Sequence, residues 1–340
     1  MTKAIAYVSG IYPYSRKHSL AARRFGRELI TKEDLLKTKT EDSQLFIARQ
    51  KDLGLDFISD GQFLWMDYAR PFTLSNKKIE EEILEMVRKS DTNTFIRMPK
   101  IENLDDLMNT RLTDFMLPVE TENRSIKVYG PYTFANYSTT NGFSLEDIMN
   151  SYSKALAQEL ETITRNNNVR FMEIAEPLLT ENVPGNDTME QEKTCIAQIT
   201  KNLDIETNLS APFNSMEPIW EKLLDFPVKG LTVDMRARDF FNVIPEPENI
   251  VDNHRFLFDH DIQKTLVLGC VNGRNGGFIP GKGLETPEWI AAVAGMIANK
   301  NNLGSIGITF STDEVIVPRA IADKKLENIA KAKSMLGRLL

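Results

Sequence analysis

Polar and charged side chains follow several apolar segments of this chain, at the point where each segment ends. The clearest case is Thr265-Leu-Val-Leu-Gly-Cys-Val-Asn-Gly-Arg-Asn275, where a buried-strand signal runs directly into polar side chains. A parallel α/β enzyme presents its binding groups in this way, on the loops after its strands. The side chains that we predict to bind a substrate are Ser9, Tyr12, Arg16, Asp60, Gln62, Trp65, Asp67, Glu173, Glu176, Asp234, Arg236, Arg238, Asn272, Arg274 and Asn275.

Several members of this set admit two interpretations. Asp234, Arg236 and Arg238 stand together and could bind an acidic substrate, because guanidinium groups bind carboxylates in paired hydrogen bonds. They could equally form an ion-pair network. Trp65 could stack on a ligand, although packing beneath a loop is the more frequent role of such a residue. We expect surface positions for the three histidines, His18, His254 and His260.

The cysteines argue against a metal centre. Cys195 and Cys270 stand far apart, and neither belongs to a Cys-x-x-Cys pair, so a structural zinc cluster is excluded. Cys270 lies at a strand end and could be proposed as a metal ligand, but it has no second thiol or histidine near it in the sequence. We therefore interpret it as a small buried hydrophobic residue and predict no metal bound by this chain.

The segments that must position these side chains alternate between short apolar runs and longer amphipathic ones. This alternation predicts βα units around a parallel sheet. Eight strands favour a (βα)8 TIM barrel, with a doubly wound open sheet and a small second domain as the alternative. No Gly-x-Gly-x-x-Gly follows the first strand, which disfavours a dinucleotide-binding version of that alternative. The predicted strands are Ala4–Val8, Leu55–Ile58, Ile126–Tyr129, Val169–Ile174, Leu203–Leu209, Gly230–Val233, Thr265–Leu268 and Ser305–Ile308.

Helix boundary signals support this division. Thr31, Ser144 and Thr286 each precede an amphipathic run as N-cap residues, and Gly54 stands where a glycine would end the first of these helices. The segment 77–125 is longer than one crossover helix needs, so we predict an insertion between strands 2 and 3. Its charged start at Glu80 suggests a helix, with a hairpin as a further element. We predict one domain over residues 1–340.

Composition limits the classes of partner. The chain has 340 residues, 41% of them hydrophobic, with 41 lysines and arginines against 48 acids and a net charge of -7. The basic residues are dispersed, which argues against nucleic acid as a partner. No apolar stretch approaches the length of a membrane span or of a signal peptide's apolar region, so we expect a cytoplasmic protein that does not bind membranes.

Five strand-end segments resemble the cobalamin-independent methionine synthases and their shorter archaeal-type relatives. The segments match the family's opening loop, its Gly-Leu-Asp stretch, its Gly-Pro-x-Thr segment, its Asp-Glu-Pro segment and the Asn-Gly-Arg-Asn run of the N-terminal barrel of the two-barrel enzymes. Their order and spacing together are fairly specific, and the resemblance implies a (βα)8 barrel. They are Ser9–Arg16, Gly54–Gln62, Tyr129–Ala135, Glu173–Pro177 and Leu268–Asn275.

The resemblance implies methyl transfer to the thiol of homocysteine, from a methylfolate or a methylated corrinoid protein. The family uses zinc to hold that thiolate, through His-x-Cys after the fifth strand, a glutamate after the sixth and a cysteine after the eighth. Here the corresponding segments read Leu209-Ser-Ala-Pro-Phe213 and Ser311-Thr-Asp313, and only Asp234 stands near the glutamate position. One carboxylate does not hold zinc.

The residues that would bind the homocysteine backbone in the family have also changed. Ile11 replaces a serine, Gln62 a glutamate and Ala175 an aspartate. Loss of charges that pair with an α-amino group in a desolvated site costs roughly 2 to 5 kcal/mol each. Binding of homocysteine in the family manner is therefore not expected.

Three hypotheses follow. The leading one is a zinc-free barrel of methionine biosynthesis that binds a small anionic ligand or docks on a separate zinc-bearing catalytic barrel. The second is a stand-alone homocysteine S-methyltransferase with a divergent site, which either binds zinc through residues that the family pattern does not match or has abandoned zinc. The third is a cofactor-free decarboxylase of the uroporphyrinogen decarboxylase type, using the arginines and aspartate of the sixth strand end.

Overall fold

Eight parallel strands form the central sheet of the computed structural model. The structure describes residues 3–76, 78–88, 93–140, 142–236, 244–274, 284–313 and 317–339. The strands follow one another around the sheet in chain order, as a (βα)8 barrel requires and a doubly wound sheet does not. The predicted fold class is therefore confirmed. The strands are β1 (Lys3–Ala6), β2 (Ile58–Ser59), β5 (Arg124–Tyr129), β7 (Val169–Ala175), β8 (Glu206–Ser210), β9 (Gly230–Asp234), β10 (Thr265–Val271) and β11 (Ser305–Phe310).

The barrel closes between β1 and β2. β1 pairs with β11 along its whole length, whereas its contact with β2 is a single parallel bridge between Tyr7 and Phe57. Two further hydrogen bonds support this seam: Asp56 N donates to Ala6 O at 2.9 Å, and Ala6 N donates to Asp56 Oδ2 at 2.7 Å. β2 continues to β5 through the pairs that Ile58 and Ser59 make.

Helices cover the outside of the sheet, and the predicted caps are present. Thr31 and Ser144 each form a capping box with the acid three residues later, and Thr286 accepts from Trp289 N. Gly54 has a φ of 68° directly after the second helix, the left-handed conformation that ends a helix. The helices are α1 (Arg16–Phe25), α2 (Lys32–Asp52), α3 (Arg70–Ser75), α4 (Pro131–Asn136), α5 (Leu145–Asn166), α6 (Leu178–Glu181), α7 (Asn186–Thr200), α8 (Trp220–Leu224), α9 (Pro247–Asp252), α10 (Pro287–Asn301) and α11 (Arg319–Leu339).

The insertion between β2 and β5 contains a hairpin. β3 (Glu80–Arg88) and β4 (Asn93–Ile101) pair antiparallel, and β4 pairs in parallel with the short strand β6 (Thr139–Thr140). The predicted hairpin is therefore present, whereas the charged segment at Glu80, one of the signals taken to indicate a helix, pairs with β4 as a strand. Two 3-10 helices follow, at Leu104–Asn109 and Leu112–Phe115. Others lie at Glu217–Ile219 and Arg255–Phe258.

Side chains alternate between the barrel interior and the helical layer. Met172 and Ile174 of β7 belong to the large core between sheet and helices, whereas Phe171 packs with Tyr7 and Val267 in a separate buried cluster inside the barrel. Glu173, two residues after Phe171, therefore lies on the interior side as well. Within the part of the chain that the structure describes, no helix is long and apolar enough to cross a membrane.

Candidate functional site

Glu173 lies at the centre of the polar side chains inside the barrel. Its Oε1 accepts from Ser9 Oγ at 2.7 Å and from Ser210 Oγ at 3.0 Å, and its Oε2 accepts from the Tyr7 hydroxyl at 2.9 Å. Burial alone would raise the pKa of Glu173, but the neighbouring Lys127 and these hydroxyl donors hold it below its ordinary value. The carboxylate is thus ionised and held by donors from several strands.

Lys127 supplies the matching positive charge. This residue of β5 pairs in register with Glu173 of β7, so the two side chains lie on the same side of the sheet. Its Nζ is 3.0 Å from Glu173 Oε1, 3.1 Å from Asp313 Oδ1 and 3.0 Å from Ser9 Oγ. Burial would lower the pKa of Lys127, yet the carboxylates of Asp313 and Glu173 raise it above its ordinary value. The ammonium group therefore stays protonated.

Asp313 links this network to the loops at the carboxyl end of the strands. Its Oδ2 accepts from the Tyr68 hydroxyl at 2.6 Å, and the Tyr68 oxygen accepts from Ile11 N at 3.1 Å. Gly10, with a φ of 79°, passes so close that a Cβ there would lie 2.1 Å from Asp313 Oδ1. The Asp313 side chain remains 21% exposed against 5% for Lys127, so it is the accessible edge of the network.

Glu176 faces a helix and not this network. Tyr132 N, in the first turn of α4, donates to Glu176 Oε1 at 2.9 Å and to Glu192 Oε2 at 3.0 Å, while Thr133 N donates to Glu176 Oε2 at 2.8 Å. Both carboxyl groups are fully buried. Burial raises the pKa of each, and the charge of Glu176 raises that of Glu192 further. Oxygens of both carboxyl groups contact the same N–H group of Tyr132, and two buried negative charges this close would repel each other. The Glu176 and Glu192 pair therefore holds one proton.

Gln62 completes the sheet instead of reaching into the open end of the barrel. Its Nε2 donates to Lys127 O, and its Oε1 accepts from Lys127 N, both at 2.9 Å. The side chain thus pairs with the backbone of β5 beyond the end of the two-residue strand β2. Asp60 Oδ1 accepts from Gln62 N at 2.8 Å, and burial raises the pKa of Asp60 although Arg124 opposes this.

Trp65 and Asp67 hold the loop after β2 in place. Trp65 is fully buried and its Nε1 donates to Phe115 O at 3.1 Å, so its role is packing, the less specific of the two interpretations. Asp67 Oδ1 accepts from Ala69 N and Arg70 N at the start of α3. Burial raises the pKa of Asp67 to about 6, against these main-chain donors.

Tyr12 and Arg16 lie away from the interior network. Tyr12 is fully buried, stacks on Phe46 of α2 at 4.1 Å between ring centroids, and donates from its hydroxyl to Asp323 of α11 at 3.1 Å. It therefore packs in the helical layer. Arg16 is exposed at the first position of α1. The structure does not bring either residue to Glu173.

The cluster at the sixth strand end separates into two parts. Asp234 Oδ2 accepts from Phe213 N at 3.1 Å and its Oδ1 from Arg236 N at 2.8 Å, so both oxygens bind main chain. Burial raises the pKa of Asp234. Arg236 is fully buried, with its guanidinium 5.3 Å from the centroid of Trp289 and 3.9 Å from Glu285 Oε1. The ion-pair interpretation describes Arg236 better than substrate binding does.

Asn272 and Arg274 anchor the loop after β10. Asn272 N donates to Glu285 Oε1 at 3.0 Å, and Lys325 of α11 donates to Asn272 O. Asn272 Oδ1 accepts from Arg274 N at 2.8 Å, a turn that orients the arginine. The Arg274 guanidinium lies 5.1 Å from the centroid of the Phe213 ring. Arg274 is only partly buried and remains a binding candidate. Arg238 and Asn275 lie outside the described residues.

Two histidine predictions are wrong, and the cysteine prediction is confirmed. His18 is fully buried with its Nδ1 3.2 Å from Asp42 Oδ2, and His254 is buried with its Nδ1 2.8 Å from Ile250 O. His18 follows the N-cap Ser15 closely in sequence, which brings it under the first loop. Cys270 is fully buried in the core between sheet and helices, and burial raises the pKa of its thiol.

The residues at the positions where the resemblance puts zinc ligands do not fit zinc. The loop after β8 supplies neither imidazole nor thiolate, both oxygens of Asp234 accept main-chain N–H groups, and Asp313 binds Lys127 and Tyr68. Among the described residues, no group of three or more histidine, cysteine, aspartate and glutamate side chains could hold a metal ion.

The sequence prediction missed Lys127, the charged centre of the interior network. Lys127 lies between the apolar residues Ile126 and Val128 in a strand with both faces covered. A lysine in such a strand is almost never fully buried unless it is paired, which was the available signal. Tyr7 and Thr232, whose hydroxyl groups lie 2.9 and 3.4 Å from Glu173 Oε2, were missed as well, because a hydroxyl in a strand carries no such signal.

A family model and two similar relatives indicate the same family. Residues 68–276 match the model of the cobalamin-independent synthase N-terminal domain. The chain is 23% identical over 291 residues to the 5-methyltetrahydropteroyltriglutamate–homocysteine methyltransferase of Bacillus cytotoxicus, covering 74% of this chain and 35% of that protein. The corresponding protein of a Bacillus anthracis strain is 21% identical over 281 residues, with the same coverage. The chain thus spans about a third of the length of these relatives.

Solved structures show the same fold. A B12-independent methionine synthase from Shewanella sp. W3-18-1, in complex with selenomethionine, superposes with a TM-score of 0.68 at 13% identity, covering 98% of this chain and 97% of that one. A putative vitamin-B12 independent methionine synthase from Listeria monocytogenes gives a TM-score of 0.67 at 13% identity, with 99% and 98% coverage. Identities this low support the fold alone.

Proposed function

Because this chain belongs to the cobalamin-independent synthase family, we propose that it is a zinc-free barrel of a methionine-forming methyltransferase system. It acts beside a separate zinc-bearing barrel, which activates homocysteine, while this chain contributes ligand binding or docking. Methylfolate or a methylated corrinoid protein is the methyl donor of the system.

One observation carries the proposal. Asp234, the carboxylate nearest to the family's zinc-binding glutamate, has both oxygens occupied by the N–H groups of Phe213 and Arg236. A hydrogen-bonded carboxylate can still bind a metal, but a zinc site also needs thiolate or imidazole partners, and the segment Leu209–Phe213 after β8 supplies neither. Activation of a thiol on this chain would therefore require a different set of residues.

The partner model is tested by metal analysis followed by a methyl-transfer assay. The purified chain is assayed for conversion of homocysteine to methionine, first with methyltetrahydrofolate and then with a methylated corrinoid protein. Each assay is run with the chain alone and together with a barrel from the same genome that carries His-x-Cys and the second cysteine. We expect no stoichiometric zinc, no methionine from the chain alone, and more methionine from the mixture than from the partner alone. Stoichiometric zinc, methionine from the chain alone, or no gain in the mixture would each refute the partner model.

The decarboxylase alternative loses one of the residues on which it rested. Arg236 is fully buried against Trp289 and Glu285 and is not accessible to an acidic substrate. The stand-alone methyltransferase remains the second candidate only as an outcome of the assay, since no contact in the interior network favours it.

A further inference from the structure

The interior network forms a complete binding site for an ammonium group. Three oxygen atoms lie within 3.1 Å of Lys127 Nζ, and they come from Ser9, Glu173 and Asp313. A primary alkylammonium group, such as that of lysine, has three N–H donors and no acceptor, so three oxygens are the full set that it can use. The site is held together by hydrogen bonds among its own members, since Ser9 Oγ also donates to Glu173 Oε1 at 2.7 Å.

The three oxygens of this site come from three different strands or the loops that follow them, and Ser210 on a fourth strand donates to Glu173. Ser9 follows β1, Glu173 and Ser210 lie on β7 and β8, and Asp313 follows β11. The carboxyl ends of these strands are the place where TIM-barrel enzymes bind their ligands. Two carboxylates and one ammonium leave the network with a net negative charge, so the site without Lys127 would attract a cation.

We propose that the open end of this barrel contains a site for a primary alkylammonium ion and that the Lys127 side chain fills it permanently. Lys127 therefore prevents amine ligands from binding at the centre of the barrel, because its own ammonium group occupies the site. A ligand of the protein as it exists then contacts the outer edge of the network, where Asp313 lies. This inference goes beyond the proposed function and does not depend on a partner barrel.

Chemical rescue tests the proposal. Lys127→Ala removes the part of the side chain beyond Cβ, which corresponds to n-propylammonium. We expect the variant to bind propylammonium in isothermal titration calorimetry and to gain thermal stability from it. Its affinity for propylammonium should exceed that for the neutral propan-1-ol at least about tenfold, since an ion in a buried site uses charge-assisted hydrogen bonds.

Two matched proteins serve as controls. Lys127→Met refills the space without a charge, and the wild-type chain keeps its own ammonium, so neither should respond to propylammonium. Binding to all three proteins with equal affinity would show an unrelated surface site and overturn the proposal, as would a folded Lys127→Ala protein that binds no propylammonium.

A second variant covers the case in which Lys127→Ala does not fold. Lys127→Ala combined with Glu173→Gln removes one of the two buried carboxylates that the lysine neutralises, and Asp313 remains to bind the cation. We expect this double variant to fold and to bind propylammonium more weakly than a folded single variant. When the single variant does not fold, either of two results would also overturn the proposal: a folded double variant that binds no propylammonium, or failure of propylammonium to restore the folding of both variants.

Discussion

At the scale of single residues, the direction of a side chain decides its role more than its position at a strand end does. Tyr12, Gln62 and Trp65 all lie on loops after strands, yet they face helices or main chain. Glu173 and Lys127 face the barrel interior and bind each other. The strand ends could be predicted from local apolar periodicity, whereas the facing direction depends on contacts between distant segments.

We predict that the absence of a side chain at Gly130 is necessary for the observed position of the Glu176 carboxyl group. A Cβ at this position would lie 2.0 Å from Glu176 Oε1, although the backbone of Gly130 needs no special conformation. We expect Gly130→Ala to lower the free energy of unfolding by about 1 to 3 kcal/mol, as overpacking of a buried site does. Urea denaturation measures the change.

Gly185 provides the matched control for that substitution. It also precedes a helix, and a Cβ there would meet nothing within 4 Å. Gly185→Ala should leave stability unchanged or raise it slightly, because alanine reduces the entropy of the unfolded chain. Equal effects of the two substitutions would show that the contact with Glu176 is unimportant.

The buried carboxyl pair predicts a specific pH dependence. Burial and the Glu176 charge raise the pKa of Glu192 in the folded protein above its value in the unfolded chain. The folded state then binds more protons than the unfolded state above the ordinary carboxyl pKa of about 4.3, so stability falls as pH rises from there toward the folded pKa. Glu192→Gln should flatten this decline, because an amide donates to Glu176 at every pH.

Denaturation of both proteins at a series of pH values from 5 to about 8 measures this slope. Glu190→Gln, on the exposed side of the same helix, is the control and should keep the wild-type slope. If Glu192→Gln has the same slope as the wild type, Glu192 does not hold the proton.

At the scale of elements, the sheet is extended by side chains where its strands are short. β2 has two residues, and the Gln62 amide continues its pairing with β5. The helix caps, the insertion and the eight barrel strands could be predicted because their signals are local, although the predicted Leu55–Ile58 overlaps β2 only at Ile58. The strand that begins at Glu80 could not, since it forms only by pairing with the segment around Lys100 across the hairpin.

Gln62→Glu is predicted to destabilise the protein. A carboxylate cannot donate to Lys127 O, so this buried carbonyl would face a second acceptor. The expected loss is about 1 to 3 kcal/mol, the cost of leaving a buried polar group unsatisfied. Gln44→Glu, on the exposed face of α2, changes the same atoms in solvent and should have little effect. Thermal denaturation compares the two, and equal midpoints would contradict the pairing role.

At the scale of the whole molecule, the stability of the fold should not depend on zinc. A ligand that binds only the folded state stabilises it, and its removal lowers the denaturation midpoint. The polar residues at the strand ends of this chain bind one another and the main chain, so a chelator such as EDTA should leave the thermal midpoint unchanged. A family member with the His-x-Cys ligands serves as the comparison. A drop in the midpoint of this chain would reveal a metal site.

The seam between β1 and β2 has a consequence for biosynthesis. Among the described residues, β1 pairs along its length with β11, which comes far later in the chain. Beside β2 the seam consists of one bridge, between Tyr7 and Phe57, and two hydrogen bonds between Ala6 and Asp56. When the ribosome has synthesised β10, all the barrel strands except β11 have been made. β1 then still lacks β11, its main neighbour. Contacts between such distant segments form late because of their loop-closure entropy. The nascent barrel therefore exposes the edges of β1 and β10 until Ser305–Phe310 emerges, which makes this interval the one in which the chain most needs a chaperone.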